Sequence, residues 1–465
     1  MSMRHIAFCV AAATSSVLTI AACSESSEGP NLEEPEDRDA GTPDSAAPQP
    51  EVDAHTPPDA ARPTKPPFDG GEESVTCAGD PCAVQLVAGE RHFCARMSDG
   101  TVRCWGDNAR GGLGVADAGV ADDGGWSAPT VTDLSGVTQI AAGGTTSCAI
   151  VGDGGVQCWG GNDRGQLGLG AAAPVTDNQR HPTPSPVALE GAVTHVDLGP
   201  TTACGLLANG EVWCWGDNAK LQLGRTTTTT AGAPGRARLG DVAVARIALG
   251  TFTGLAVTTL GDVVSWGAVA GAEGSVSARE TSLGVDLQPL PIGLAPVTSL
   301  SVSSTTLYRP PGVPQRPMQG IGHACAIVAG EISCWGASRM GALGTGLPEP
   351  VRTPLPAPVA SDMAWASQVV AAGELSCARL TDGTVECAGD NAFGALGRDP
   401  AVAYSLFFEP AAFEGYAVAV AAAAKTVCAL EKSGSVVCWG SNERGELGQG
   451  LRDDAPHPEP VPVRF

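Results

Sequence analysis

Beyond about residue 77 the apolar residues come in short runs, each set off by turn residues, and no stretch shows the period of an amphipathic helix. The unit of the pattern is a hairpin. Cys204-Gly-Leu-Leu-Ala-Asn-Gly-Glu-Val-Trp-Cys214 is two apolar runs around an Asn-Gly turn, and Cys94 to Cys104 repeats it around Asp99-Gly100. Such dipeptides between apolar runs are strong short-range hairpin signals. The hairpins recur. Trp105-Gly106, Trp159-Gly160, Trp215-Gly216, Trp266-Gly267, Trp335-Gly336, Ala388-Gly389 and Trp439-Gly440 hold one repeat position, spaced 54, 56, 51, 69, 53 and 51 residues apart. A period near 50 predicts a propeller or a solenoid.

A second signature follows each Trp-Gly. Gly106-Asp107-Asn108-Ala109-Arg110-Gly111-Gly112-Leu113-Gly114 recurs as Gly160 to Gly168 and as Gly440 to Gly448. Asn bonds its own backbone in turns and Gly supplies φ > 0. The Leu is expected between neighbouring units. A phosphate-cradling loop is a poor alternative, because no Lys-Ser/Thr follows and seven copies would be needless.

The pattern x-Cys-Ala…Asp-Gly-x-Val-x-Cys-Trp-Gly-x-Asn-x-x-Gly-x-Leu-Gly resembles the regulator-of-chromosome-condensation repeat family, over about Cys82 to Phe465. The resemblance implies an all-β, seven-bladed β-propeller of four-stranded blades. Three units depart from it. Ala268 to Ser275 lacks the Asn and Leu, the sixth unit has Ala388 for Trp, and the fifth carries an insertion near Thr305 to Gly320. Some units open with an outer-strand phrase, as in Ser185-Pro186-Val187-Ala188-Leu189. The first begins near Val84-Gln85-Leu86-Val87 without one, and Glu459 to Phe465 ends the chain where a further unit would start. The expectation is a ring closed by N- and C-terminal strands sharing one blade, which removes open edges.

Composition alters the picture mainly at the N-terminus. Residues 1–22 read as a signal peptide, with Arg4 and His5 ahead of an apolar core from Ile6 to Ile20 that is too short to span a bilayer. Ile20-Ala21-Ala22-Cys23 resembles a bacterial lipobox, which implies acylation of Cys23; ordinary cleavage and secretion is the alternative. Ser24 to Thr76 holds 14 acidic and 3 basic residues in 53, rich in Pro, Ala and Ser. A segment with so little to bury is expected to be a disordered tether (23–76 with the lipidated Cys), ahead of a propeller domain at 77–465. The whole chain has a net charge of −23 and 61 Gly and 36 Pro in 465 residues. That balance suits turn-rich β structure and counts against nucleic acid as a partner. No later run reaches the length of a membrane helix, so the membrane is expected to be met through the lipid alone.

Of 16 Cys, Cys9 leaves with the signal and Cys23 is the lipidation site. The rest are expected to pair as Cys77 with Cys82, Cys94 with Cys104, Cys148 with Cys158, Cys204 with Cys214, Cys325 with Cys334, Cys377 with Cys387 and Cys428 with Cys438. The fourth unit loses both positions together, to Leu255 and Ser265. The loop Ser98-Asp99-Gly100 sets Cys94 opposite Cys104, and the shorter Ala329-Gly330 loop sets Cys325 opposite Cys334, within disulfide range. Zinc fits poorly, because the pairs lie in separate units.

No catalytic motif occurs, and no cofactor or metal is expected. His92 and His323 share a position that holds Thr146, Thr202, Thr253 and Thr426 elsewhere, and are expected to satisfy local backbone groups. Asp99, Asp262 and Asp382 are expected to serve hairpin turns. The candidate binding element is the insertion Ser303–Gly320, with Tyr308, Arg309, Arg316 and Met318, residue types favoured at interfaces. Its prolines should keep it out of a central strand. The functional expectation is a monomeric, lipid-anchored envelope propeller, an outer-membrane lipoprotein facing the periplasm or the surface, that binds a protein without catalysis. The family resemblance also implies a guanine-nucleotide-exchange-like regulator. A polysaccharide-acting envelope enzyme is the third class, which needs carboxylates within about 5–10 Å of each other at a channel mouth.

Overall fold

Each short strand finds its nearest partner in the strand that follows it, so pairing proceeds in chain order. In the computed structural model this gives seven antiparallel sheets of consecutive strands. The structure describes residues 73–116, 128–169, 175–268, 276, 278, 285–294, 296–308, 319–347, 351–358 and 365–465. All lie in one of two contact units, Pro63–Phe465; the other, Met1–Arg62, is outside the described residues.

The innermost strands of blades 1 to 7 are Ala83–Ala88, Val137–Gly143, Val193–Leu198, Val244–Leu249, Val297–Val302, Ala366–Ala372 and Ala417–Ala422. Each contacts the next around the ring, and the seventh contacts the first. The expected hairpin follows in every blade. Cys94 stands opposite Cys104, and Leu255 opposite Ser265 in the fourth. A fourth strand then folds back onto the Trp-bearing strand, as His181–Pro186 does on Gly155–Gly160. In blade 1 the outer edge is residues 128–131, through the bridge Arg103↔Thr130 and a 2.8 Å bond from Val131 N–H to Val102 O. The glycine after each Trp is required by the fold-back. Gly106 has φ 103°, and a Cβ there would lie 2.5 Å from Arg91 O.

The core sits between blades. Leu113 packs with Trp159, Leu167 with Trp215, and Leu223 with Trp266, each pair spanning two blades. Each of these Trp residues also donates its indole N–H to a backbone carbonyl of the preceding blade, Trp159 to Gly112 O and Trp215 to Gln166 O, both at 2.9 Å. The Asn of the signature orders the loop that carries the Leu, with Asn108 Oδ1 accepting from Leu113 N–H at 3.1 Å. Two departures from the repeat are filled from elsewhere. Val276 takes the place of the missing Leu, and its carbonyl accepts the Trp335 indole N–H at 2.7 Å. Phe408, from the outer strand of blade 6, joins Leu343 beside Ala388.

The expected sharing of one blade by both termini does not form. Asp453–Pro462 pairs with Val436–Asn442 and is the fourth strand of blade 7. The phrase around Ser185 likewise finishes the preceding blade rather than opening the next, because it pairs with the Trp strand before it, Cys158 opposite Ser185. Closure comes from side chains and a short tail. Trp105 donates to Glu446 O at 2.9 Å, Phe465 meets the Trp105 ring edge-on at 5.8 Å, and Ala128 N–H bonds Arg464 O at 2.7 Å. A strap crosses the same seam. Thr76 and Ala78 N–H bond Lys432 O and Ser433 O of blade 7 before the chain enters blade 1. The described part of the strap, from Glu73, lies inside the span that the sequence assigns to the tether.

Candidate functional site

The seven innermost strands enclose an axial channel whose two ends differ. At the upper end, where these strands finish, small residues bring the backbones together. A Cβ on Gly143 would lie 2.4 Å from Gly199 O. The opening left, lined by Gly89, Glu90, Gly144 and Pro200 among others, is about 80 Å³. At the lower end the channel widens into a cavity of about 970 Å³.

The third residue of each innermost strand is Gln85, Gln139, His195, Arg246, Ser299, Gln368 and Ala419 in blade order, and Gln85, Arg246, Ser299, Gln368 and Ala419 line the lower cavity. Most of these side chains reach the backbone of the next blade. Gln85 Nε2 donates to Ile140 O and its Oε1 accepts from Ile140 N–H, both at 3.0 Å. Gln139 does the same with Val196, and Gln368 with Val420. Arg246 donates to Thr298 O at 2.8 Å, and Ser299 Oγ accepts from Val369 N–H at 3.2 Å. This belt is interrupted at Ala419, where blade 7 faces blade 1 and the strap lies. It is absent from the sequence reading, although three glutamines at one repeat position were its signal.

Glu73, Ser74 and Val75 of the strap line the lower cavity beside Arg246 and Arg379. Hydrogen bonds from the Tyr416 hydroxyl and the Lys432 ammonium hold the Glu73 carboxyl below its ordinary range. Arg379 is 5% exposed and its Nε has no hydrogen-bond partner. Burial lowers its pKa, and the nearby Glu73 carboxylate opposes that shift. Among the lining residues Glu73 is the sole carboxylate at the lower mouth and Glu90 at the upper. The described residues therefore do not form the paired carboxylates of a glycosidase at either end. No cluster of metal ligands occurs among them.

Two blade interfaces carry a buried histidine–serine pair. His92 Nε2 lies 2.8 Å from Ser147 Oγ, and His323 Nε2 lies 2.7 Å from Ser376 Oγ, each across a blade boundary. Each histidine therefore meets a hydroxyl of the next blade, and His323 also meets the Leu375 backbone there rather than a local one. Burial lowers both to about 4. Asp99 and Asp382 serve their turns as expected, accepting from Thr101 and Thr384 N–H at 3.0 Å.

All seven expected cysteine pairs stand at disulfide distance. Six are buried in the hairpins with Cα atoms 4.0–4.1 Å apart: Cys94 with Cys104, Cys148 with Cys158, Cys204 with Cys214, Cys325 with Cys334, Cys377 with Cys387 and Cys428 with Cys438. Cys77 and Cys82 join the ends of a loop in the strap at 5.7 Å. The insertion begins and ends as strands, with Thr306–Tyr308 pairing with the start of Gln319–Val328 on the upper side of blade 5. Tyr308 ends the first limb. Arg309, Arg316 and Met318 lie outside the described residues, as does Cys23.

This architecture defines the class as a seven-bladed β-propeller of consecutive four-stranded blades. Its repeats match the family model "Regulator of chromosome condensation (RCC1) repeat" at residues 83–111, 137–166 and 193–222, and a second model of that description at 153–206. Among curated proteins the chain is similar to the human "Probable E3 ubiquitin-protein ligase HERC6" (34% identity over 188 residues, 40% of this chain and 18% of that protein). It is also similar to "RCC1 domain-containing protein RUG3, mitochondrial" of Arabidopsis thaliana (33% over 132 residues, 28% of each). The matches thus span less than a third of these relatives. Solved structures share the fold at low identity. Prp20p of Saccharomyces cerevisiae has TM-score 0.63 and 17% identity, covering 83% of this chain and 87% of that one. Human WBSCR16 has TM-score 0.61 and 20% identity, covering 81% and 94%.

Proposed function

We propose that the protein is a non-enzymatic protein-binding scaffold of the cell envelope, held there by a lipid on Cys23, with its main partner surface on the upper face of the ring. The observation that carries this reading is the hairpin insertion of blade 5. The recurrent residues are occupied in holding the ring: Trp and Leu between blades, Asn in the loop, Cys in the hairpin, Gly at the fold-back. What differs between units is left to set specificity, and the paired limbs Thr306–Tyr308 and Gln319–Ile321 are the largest difference. A propeller of this fold is known to bind proteins. The structural study of Prp20p names Gsp1p and histones as its binding partners, and another shows Kap60 bound to it. Those partners belong to Prp20p; what carries over is use of the ring as a binding surface.

The test is affinity capture from detergent-solubilised envelope. Replacing residues 305–319 with a short Gly-Ser loop is expected to leave the melting curve in place and to remove the partner that the natural chain captures. Capture at full strength by the replaced form contradicts the assignment. The anchor is tested separately: Cys23→Ser is expected to move the protein from the membrane to the soluble fraction, and unchanged fractionation contradicts lipidation.

A further inference from the structure

We propose that the lower axial cavity is a binding site for a carboxylate-bearing ligand, with Arg379 as its principal anchor and Glu73 as an internal competitor. The position of Arg379 is the first reason. It lies two residues after Cys377, where five other blades place Ile150, Leu206, Val257, Ile327 and Leu430. An apolar side chain satisfies that place in the fold, so a guanidinium there is not needed for packing. Blade 1 also has an arginine, Arg96, but it is more exposed and does not line the cavity. Arg379, at 5% exposure with Nε unpartnered, is a buried donor that lacks its acceptor. It lines a cavity of about 970 Å³, at the upper end of the size of small-molecule sites.

The second reason is electrostatic. Among the described residues the lining holds no carboxylate apart from Glu73, while Arg246 adds a second guanidinium from blade 4. An entering carboxylate meets no other carboxylate among the described lining residues, and a guanidinium fork matches its geometry. Third, the site already holds a carboxylate in part. The extended segment Glu73-Ser74-Val75 lies in the mouth, with its acid group on Tyr416 and Lys432 and close enough to Arg379 for the two charges to interact. Glu73 takes the Tyr416 and Lys432 donors and leaves the Arg379 Nε without an acceptor.

The test is isothermal titration of the full chain with citrate and, separately, with a short glutamate peptide. At least one probe is expected to bind at low ionic strength and to weaken as salt is raised. Binding of citrate alone identifies a small polycarboxylate as the source, and of the peptide alone an acidic chain segment. Arg379→Leu installs the residue type that blade 7 has at this position. It is expected to keep the melting curve and lower affinity by about tenfold or more. Should that variant fail to fold, Arg379→Lys replaces it; loss of the fork should still weaken binding severalfold. Glu73→Ala is expected to bind more tightly, because it removes the competing carboxylate and frees the Tyr416 and Lys432 donors. Failure of both probes to bind the natural chain, or equal binding by the Arg379 variant, overturns the proposal.

Discussion

Asp197 lies on the innermost strand of blade 3 and accepts the Leu249 N–H of blade 4 at 3.0 Å. Burial raises its carboxyl from 3.8 to about 7. The folded state therefore holds a proton that the unfolded chain releases between about pH 4 and 7, so stability from this group falls as pH rises through that window. The full effect is at most on the order of 4 kcal/mol, and less for a residue that keeps part of its surface in water. Asp197→Asn keeps an acceptor for Leu249 and removes the charge. Urea denaturation should find the variant more stable than the natural chain at pH 8 by about 1–3 kcal/mol, with little difference at pH 4. No gain at pH 8 contradicts it. His92 and His323 act in the opposite sense. Their folded values near 4 make protonation costly, so their contribution is complete above about pH 6.5 and is lost as pH falls toward 4. Residues of this kind were only half legible. Trp, Asn and Gly repeat and announce their roles. The histidines were visible as a pair of oddities, but their serines were not, because Ser147 and Ser376 lie in the next blade. Val276 and Phe408 left no signal, since each fills a gap from a different place in the chain than the residue it replaces.

The hairpin is the element that sequence determines most fully here. Loop length sets register, and register sets Cys opposite Cys in six blades and Leu255 opposite Ser265 in the fourth. Each such bond closes a short loop, worth about 3 kcal/mol in the chain-entropy model. Non-reducing peptide mapping should find Cys148 joined to Cys158, Cys387 to Cys377, Cys438 to Cys428, and likewise in the other three hairpins and between Cys77 and Cys82. Cross-blade links or free thiols contradict the assignment. Cys77 is exposed whereas the six hairpin pairs are buried. A mild reductant with an alkylating agent should therefore label the strap pair first and the blade pairs only on unfolding. Equal labelling in the folded state contradicts that order. The outer strands were less legible. A Pro-rich phrase between two blades reads equally well as the end of one or the start of the next, and only its pairing with the Gly155–Gly160 strand decides it.

At the scale of the whole molecule, seven consecutive blades form a ring closed across one seam by a strap and a short tail. The blade count followed from the spacing of the Trp-Gly pairs. The closure did not, because it rests partly on Glu73, which stands outside the repeat, and because Val463 and Phe465 repeat the places of Ala411 and Phe413 in a phrase that reads equally well as the end of one blade or the start of the next. The belt of inter-blade side-chain bonds runs out at Ala419, so the seam between blades 7 and 1 depends more on the tail than any other boundary does. Val463 packs in the cluster with Trp105 and Leu447, and Phe465 lies against the same indole. Their loss should cost about 2–4 kcal/mol by apolar area alone. The most direct measurement is amide hydrogen exchange on the full chain and on a form ending at Pro462. A ring closed by this tail predicts faster exchange in the strands of blades 1 and 7, lower melting temperature, and near-unchanged protection in blades 3 and 4 under native conditions. Unchanged exchange around Trp105, or loss confined to the outer strand of blade 7, would contradict it.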